Sequence, residues 1–162
     1  MGQIHVAPVW SQASVPEDKK CIFLDPGVVF GGGTHQTTLD CLKALNFLAQ
    51  KEIHGRLLDL GSGTGILSLA AAKLGWGQIV AVDCNPLAAW TTKINVDGNN
   101  LSAQILAVQG RGEDFLDMPA QTLVANIHYD VMVRIMQSQA FRDIRNFVLS
   151  GLLRSQAMAV LE

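Results

Sequence analysis

Charge is scarce in this sequence, and so are cysteines and long apolar runs; each shortage closes off a class of protein. Charged residues are only 16% of the 162 while 49% are hydrophobic, too apolar a balance for a disordered chain and one typical of a sheet buried on both faces. The formal net charge is -2, so the chain has no overall attraction for nucleic-acid phosphates or an anionic membrane surface, and neither is expected as a partner. The longest apolar run, residues 66–72, is interrupted by Ser68 and stops at Lys73, far short of the roughly 20 residues that span a bilayer. Residues 1–10 also lack the basic start and apolar stretch of a secretory signal. Only three cysteines occur, Cys21, Cys41 and Cys84; an odd number at spacings unlike zinc or redox motifs reads as reduced thiols in a cytoplasmic protein. Four histidines, His5, His35, His54 and His128, show no i, i+4 pairing and no clustered carboxylates, so no metal site is expected.

What remains is an alternation of short apolar runs with longer helical patterns, the mark of one α/β domain with a mostly parallel sheet flanked by helices. Residues 1–20 read as an irregular lead-in, followed by an extended run at 21–24 that the turn Asp25-Pro26-Gly27 ends. A helix is expected from 34–37 to about 52, because Leu39, Leu42, Leu45, Leu48 and Ala49 recur on one face. Strands follow at 56–60, 78–83, 104–108, 122–126 and 146–150, with helices at 65–74, 86–96 and 130–140 between them. Residues 153–162 have helical spacing and then stop.

The strongest chemical signal is Leu57-Leu58-Asp59-Leu60-Gly61-Ser62-Gly63-Thr64-Gly65-Ile66-Leu67, an apolar strand, an acid, glycines at every second position and a helix. A ligand lying across the carboxyl end of a parallel strand needs a loop without side chains, and Gly61, Gly63 and Gly65 let backbone approach it closely. Asp59 can accept from the ligand's amino end. The next strand ends in Asp83, a carboxylate suited to both hydroxyls of a ribose, and Cys84 beside it is counted with the binding residues. The spacing G-x-G-x-G departs from the nicotinamide pattern G-x-G-x-x-G and resembles the first motif of S-adenosylmethionine methyltransferases.

A second signal, Leu24-Asp25-Pro26-Gly27-Val28-Val29-Phe30-Gly31-Gly32-Gly33-Thr34-His35-Gln36-Thr37-Thr38, resembles the D-P-G-x-x-F-G-T-G-T-H-x-T-T segment of the bacterial ribosomal-protein methyltransferases of the PrmA type. Its physical sense is a lid whose glycines bring Phe30 and the threonines over a cofactor and exclude water. The resemblance makes Thr38 a cofactor contact. A third, Leu123-Val124-Ala125-Asn126-Ile127, resembles the family's V-V-A-N-I segment and makes Asn126 the catalytic candidate, holding an incoming amine as well as touching cofactor. The resemblance runs over nearly the whole chain, Ala7-Pro8-Val9-Trp10 included. It implies a Rossmann-like class I core with S-adenosylmethionine as cofactor, methyl transfer to a protein amine nitrogen, and a ribosomal protein as substrate.

Some residues depart from the family. His128-Tyr129 follows Asn126 where a small or apolar residue is usual, and Arg142-Asp143-Ile144-Arg145-Asn146 replaces a Pro-Gly-Gly turn. Many class I methyltransferases place Asp near the end of the third strand to meet the adenine amino group; here Gly110-Arg111-Gly112-Glu113 stands instead, so Glu113 or Asp114 would have to serve. The family carries two further strands and a separate substrate-recognition domain, so residues 21–162 are expected to form a C-terminally truncated S-adenosylmethionine-binding domain. Two alternatives stay open at this point: a nicotinamide-dependent Rossmann oxidoreductase, or a non-catalytic cofactor-binding module.

Overall fold

The structure, a computed structural model, describes residues 3–11, 18–29 and 31–161. Along the chain run β1 (Ile4–Pro8), β2 (Lys20–Leu24), α1 (Gln36–Gln50), β3 (Arg56–Leu60), α2 (Ile66–Leu74), β4 (Gln78–Asp83) and α3 (Pro86–Gly98). After them come β5 (Ile105–Gln109), β6 (Thr122–Asn126), α4 (Tyr129–Met136), β7 (Asn146–Ser150) and α5 (Arg154–Leu161). Two 3-10 turns, Gly112–Phe115 and Gln139–Asp143, replace longer helices around β6 and α4.

Five strands pair in the order β5-β4-β3-β6-β7, every pair parallel. The chain reverses its direction of growth at β3, which lies between β4 and β6. In open α/β sheets such a switch point leaves a crevice at the carboxyl ends of the strands. The central strands are buried along nearly their whole length, as Leu57–Leu60 and Thr122–Ala125 show, because helices or turns cover both faces. Alternation then sorts their side chains. Leu57 and Val124 join the core beneath α1 and α2, whereas Leu58, Leu60, Leu123 and Ala125 join the one beneath α4.

Helix ends follow local chemistry. Asn85 caps α3 by accepting from the Leu87 N–H at 2.9 Å, with Pro86 in the first turn. Gly75, at φ 120°, ends α2.

Two expectations need correcting. Residues 1–20 are not irregular throughout: Ile4–Pro8 is a strand paired in parallel with β2. Ile4 and Ala7 are buried there, a burial too sparse to stand out as alternation in five residues. The helix expected at 130–140 stops at Met136. Beyond it the chain folds into a 3-10 turn that brings Phe141 onto Phe147 of β7, ring centroids 4.4 Å apart, a contact that gives the turn an apolar anchor.

Candidate functional site

Strand register sets the site. Leu60 pairs with Val82 on one side and Ala125 on the other, so the next residues, Asp83, Gly61 and Asn126, share one row at the carboxyl edge of the sheet. The pairs Asp83–Gln109 and Asn126–Ser150 extend the row outward. A carboxylate therefore stands on one side of a bare glycine and a carboxamide on the other.

The loop after β3 requires glycine. Gly61, Gly63 and Gly65 have φ of 76°, 57° and 82°, the left-handed region that a Cβ penalises. Space is short as well: a Cβ on Gly61 would collide with Ile127 Cγ2, and one on Gly65 would lie 2.9 Å from Thr92 Cγ2. Asp83 then ties the loop to its own strand, accepting from the Gly63 N–H and the Asn85 N–H, each at 2.9 Å. Each oxygen keeps a free lone pair at the half-buried tip.

Asp59 lies two residues back along β3 from Gly61. Its side chain is fully buried under the loop, with exposure 0%, and Oδ2 accepts from Ser68 Oγ at 2.6 Å. Strand alternation turns Asp59 onto α2. Burial pushes its pKa up to about 6; hydrogen bonds from Ser68 oppose the rise, and nearby Asp83 adds to it. Oδ1 has no hydrogen-bond partner among the described residues.

On the other side of Gly61, the Asn126 amide donates to Thr38 Oγ1 at 3.4 Å, so two residues separated by 88 positions in sequence meet. Thr38 is buried. Cys41, one turn along α1, is buried too; desolvation pushes its thiol up to about 11, despite a hydrogen bond with Ser150. Cys21, Cys41 and Cys84 are all free. Cys84 is exposed beside Asp83. Glu113 sits off the row in a 3-10 turn, with Arg134 at 3.1 Å and Arg111 at 3.6 Å. A hydrogen bond from its own backbone N–H lowers its pKa most; the two arginines add to that, against partial burial. Phe30 lies outside the described residues.

Four residues escape a reading of the sequence. Thr64, fully buried, donates its hydroxyl to the Gly31 carbonyl at 2.7 Å, joining the glycine loop to the candidate lid. Asn95 and Asn99 of α3 bind the backbone of Asp25 and Phe23, 70 and 76 residues away. Gly151, at φ 86°, lies against Asn126 and Ile127. Their only advance signal is the i, i+4 spacing of two asparagines on one helix face.

An apolar groove of about 200 Å³ opens at the opposite, amino end of the sheet, lined by Leu58, Val80 and Met118 among others. Its lining carries Arg56 and Gln78 but no carboxylate, imidazole, thiol or hydroxyl. Among the described residues no group of three or more His, Cys, Asp or Glu side chains could hold a metal ion.

Comparison with known proteins points one way. A family model described as ribosomal protein L11 methyltransferase (PrmA) matches residues 1–162. Ribosomal protein L11 methyltransferase of Exiguobacterium sibiricum is 39% identical over 153 residues, covering 93% of this chain and 48% of the relative. That of Anoxybacillus flavithermus is 35% identical over 161 residues, covering 97% of this chain and 51% of the relative. The chain thus spans about half the length of the curated relatives it matches. The crystal structure of ribosomal protein L11 methylase from Lactobacillus delbrueckii subsp. bulgaricus superposes with a TM-score of 0.80 at 23% identity, covering 98% of this chain and 81% of that one. That likeness bears on the fold.

Proposed function

This chain belongs to the PrmA family of ribosomal protein L11 methyltransferases, and on that premise we propose that it is the S-adenosylmethionine-binding core of a protein N-methyltransferase. The observation that carries the reading is the row Asp83, Gly61, Asn126 at the switch point of the sheet. Its donor set fits an adenosyl sulfonium: a carboxylate with free lone pairs for ribose hydroxyls, a loop without side chains for the ligand to cross, and an amide beyond it. The family match favours this over the nicotinamide alternative.

Bound S-adenosylmethionine supplies a methyl group on a positive sulfur that departs as a neutral thioether. The chain's own residues have little covalent work to do and mainly position the reactants. Asp83 holds the ribose while its bonds to Gly63 and Asn85 keep the loop in shape. Asp59 acts from beneath, bracing β3 against α2 through Ser68. Thr38 orients Asn126, and Asn126 presents its amide to the acceptor nitrogen. An amine entering this half-buried corner loses hydration, which favours the neutral, nucleophilic form. Phe30 and the threonines after Gly33 enclose the ligand, and Cys84 and Glu113 border its nucleoside end.

The relatives' names make a ribosomal protein, L11, the first substrate to try, and a cytoplasmic setting follows from that substrate. No helix among the described residues is long and apolar enough to cross a membrane. Titration calorimetry with S-adenosylhomocysteine tests the pocket: Asp83→Ala is expected to weaken binding at least about tenfold, as loss of a charge-assisted hydrogen bond does. Incubation with labelled S-adenosylmethionine and L11 tests transfer, which Asn126→Ala should abolish. Binding of a nicotinamide dinucleotide with no heat from S-adenosylhomocysteine would overturn the proposal.

A further inference from the structure

Among the described residues no strand lies beside the outer edge of β2. Its inner edge pairs with β1, leaving the N–H and C=O of Phe23 and of Asp25, just past the strand end, facing α3. Asn99 Oδ1 accepts from the Phe23 N–H at 2.9 Å while Asn99 Nδ2 donates to the Phe23 carbonyl at 2.6 Å. Asn95 repeats the pattern on Asp25, at 2.8 Å and 2.9 Å. Each carboxamide presents a donor and an acceptor as a peptide group does. Four residues of helix advance about 6 Å and two of strand about 6.6 Å, so the i, i+4 spacing matches the strand repeat. Both asparagines are buried, Asn95 to 1% exposure.

Asn95 does more than close an edge. Its Nδ2 also donates to the Thr64 carbonyl at 2.9 Å, and Thr64 Oγ1 reaches the Gly31 carbonyl at 2.7 Å. A continuous path therefore runs from Asp25 through Asn95 and Thr64 to Gly31. Asp25 and Gly31 bracket the stretch that leads into the candidate lid, so one helix side chain and one loop side chain fasten both of its ends to the glycine loop.

We infer that Thr64 and Asn95 are positioning residues that couple the 25–34 segment to the Gly61–Gly65 loop, so that cofactor affinity depends on side chains that never touch the cofactor. This rests on the cofactor reading above. Thr64 is fully buried, and it hydrogen-bonds with the Gly31 carbonyl and the Asn95 amide.

Two measurements on the intact chain test it. Thr64→Val keeps the shape and removes the hydroxyl, Thr64→Ser restores the hydroxyl, and Asn95→Asp replaces both amide donors with acceptors facing carbonyls. Hydrogen exchange of the peptide spanning residues 25–34, without ligand, is expected to quicken in Thr64→Val and Asn95→Asp and to return toward the parent rate in Thr64→Ser. The dissociation constant for S-adenosylhomocysteine is expected to rise about three- to tenfold in the first two, the effect of one lost hydrogen bond, with stoichiometry unchanged and Thr64→Ser close to the parent. A merely structural role would lower the melting temperature and the binding-competent fraction while leaving the dissociation constant of the folded fraction alone, and that result would overturn the inference. So would unchanged exchange in Thr64→Val, or faster exchange with affinity preserved within twofold. A parent chain that binds no S-adenosylhomocysteine would sink the cofactor reading itself, whereas the exchange rates would still report whether the fastening exists.

Discussion

Asp59 shows how far one residue's role departs from its position in a motif. Read along the chain, it is the acid near the end of an apolar run before a glycine turn. Its partner was not legible, because Ser68, nine residues on, meets it only once α2 has folded over β3. The consequence is a pH dependence with a definite sign. Burial raises the folded-state pKa from 3.8 to about 6, so in that interval the folded chain holds more proton than the unfolded one. The stabilisation is complete below pH 3.8 and is lost as pH rises through 6, a change of roughly 3 kcal/mol. Asp59→Asn should remove this slope and leave the variant at least as stable as the parent at pH 7. Denaturant midpoints between pH 4 and pH 7 would check it; parallel curves for parent and variant would refute it. The adjacency of Asp83, Gly61 and Asn126, by contrast, follows once their strands are placed, since parallel register brings strand tips into one row; Asn126 itself was singled out by the family segment, not by its strand end.

At the scale of elements, the large pieces could be read and the joints could not. Residues 56–60, 78–83, 122–126 and 146–150 are strands with the bounds expected, because buried parallel strands are short unbroken apolar runs between turn residues. β1 escaped notice since its partner is β2, across residues 9–19, and α4 was read too long since the Phe141–Phe147 contact is invisible locally. The joint between β6 and β7 is another such case. A Cβ on Gly151 would lie 2.5 Å from the Ile127 carbonyl oxygen, 3.0 Å from its nitrogen and 3.1 Å from Asn126 Oδ1. Gly151→Ala should therefore cost about 1–3 kcal/mol, from its left-handed backbone and the displaced neighbours. Under the proposed function the displacement falls on the acceptor side of Gly61, so methyl transfer should drop by an order of magnitude or more while S-adenosylhomocysteine affinity stays within about threefold. Steady-state kinetics beside calorimetry would separate the two; equal losses in both would count against this division of the pocket.

For the whole molecule, the two cores are not independent. Adjacent residues of the same central strands feed both, Leu57 one and Leu58 the other, Val124 one and Leu123 the other. Neither core can melt without withdrawing a strand from its neighbour, so unfolding should be one cooperative transition. Trp76 is buried at 1% exposure, whereas Trp10 and Trp90 are exposed, so the fluorescence shift on unfolding reports chiefly Trp76. Its midpoint in denaturant should coincide with that from far-ultraviolet circular dichroism; separated midpoints would show the cores melting apart. The parallel α/β class was legible in the alternation of elements, but the strand order was not, because adjacency in the sheet follows three-dimensional crossovers. A last consequence concerns solubility. Two-stranded ribbons with a bare flank are natural templates for a stray chain, yet the flank of β2 is occupied at Phe23 and Asp25 by the two carboxamides of α3. The helix thus acts as a gatekeeper against runaway strand addition, shielding the smallest sheet in the fold without adding a third strand to it.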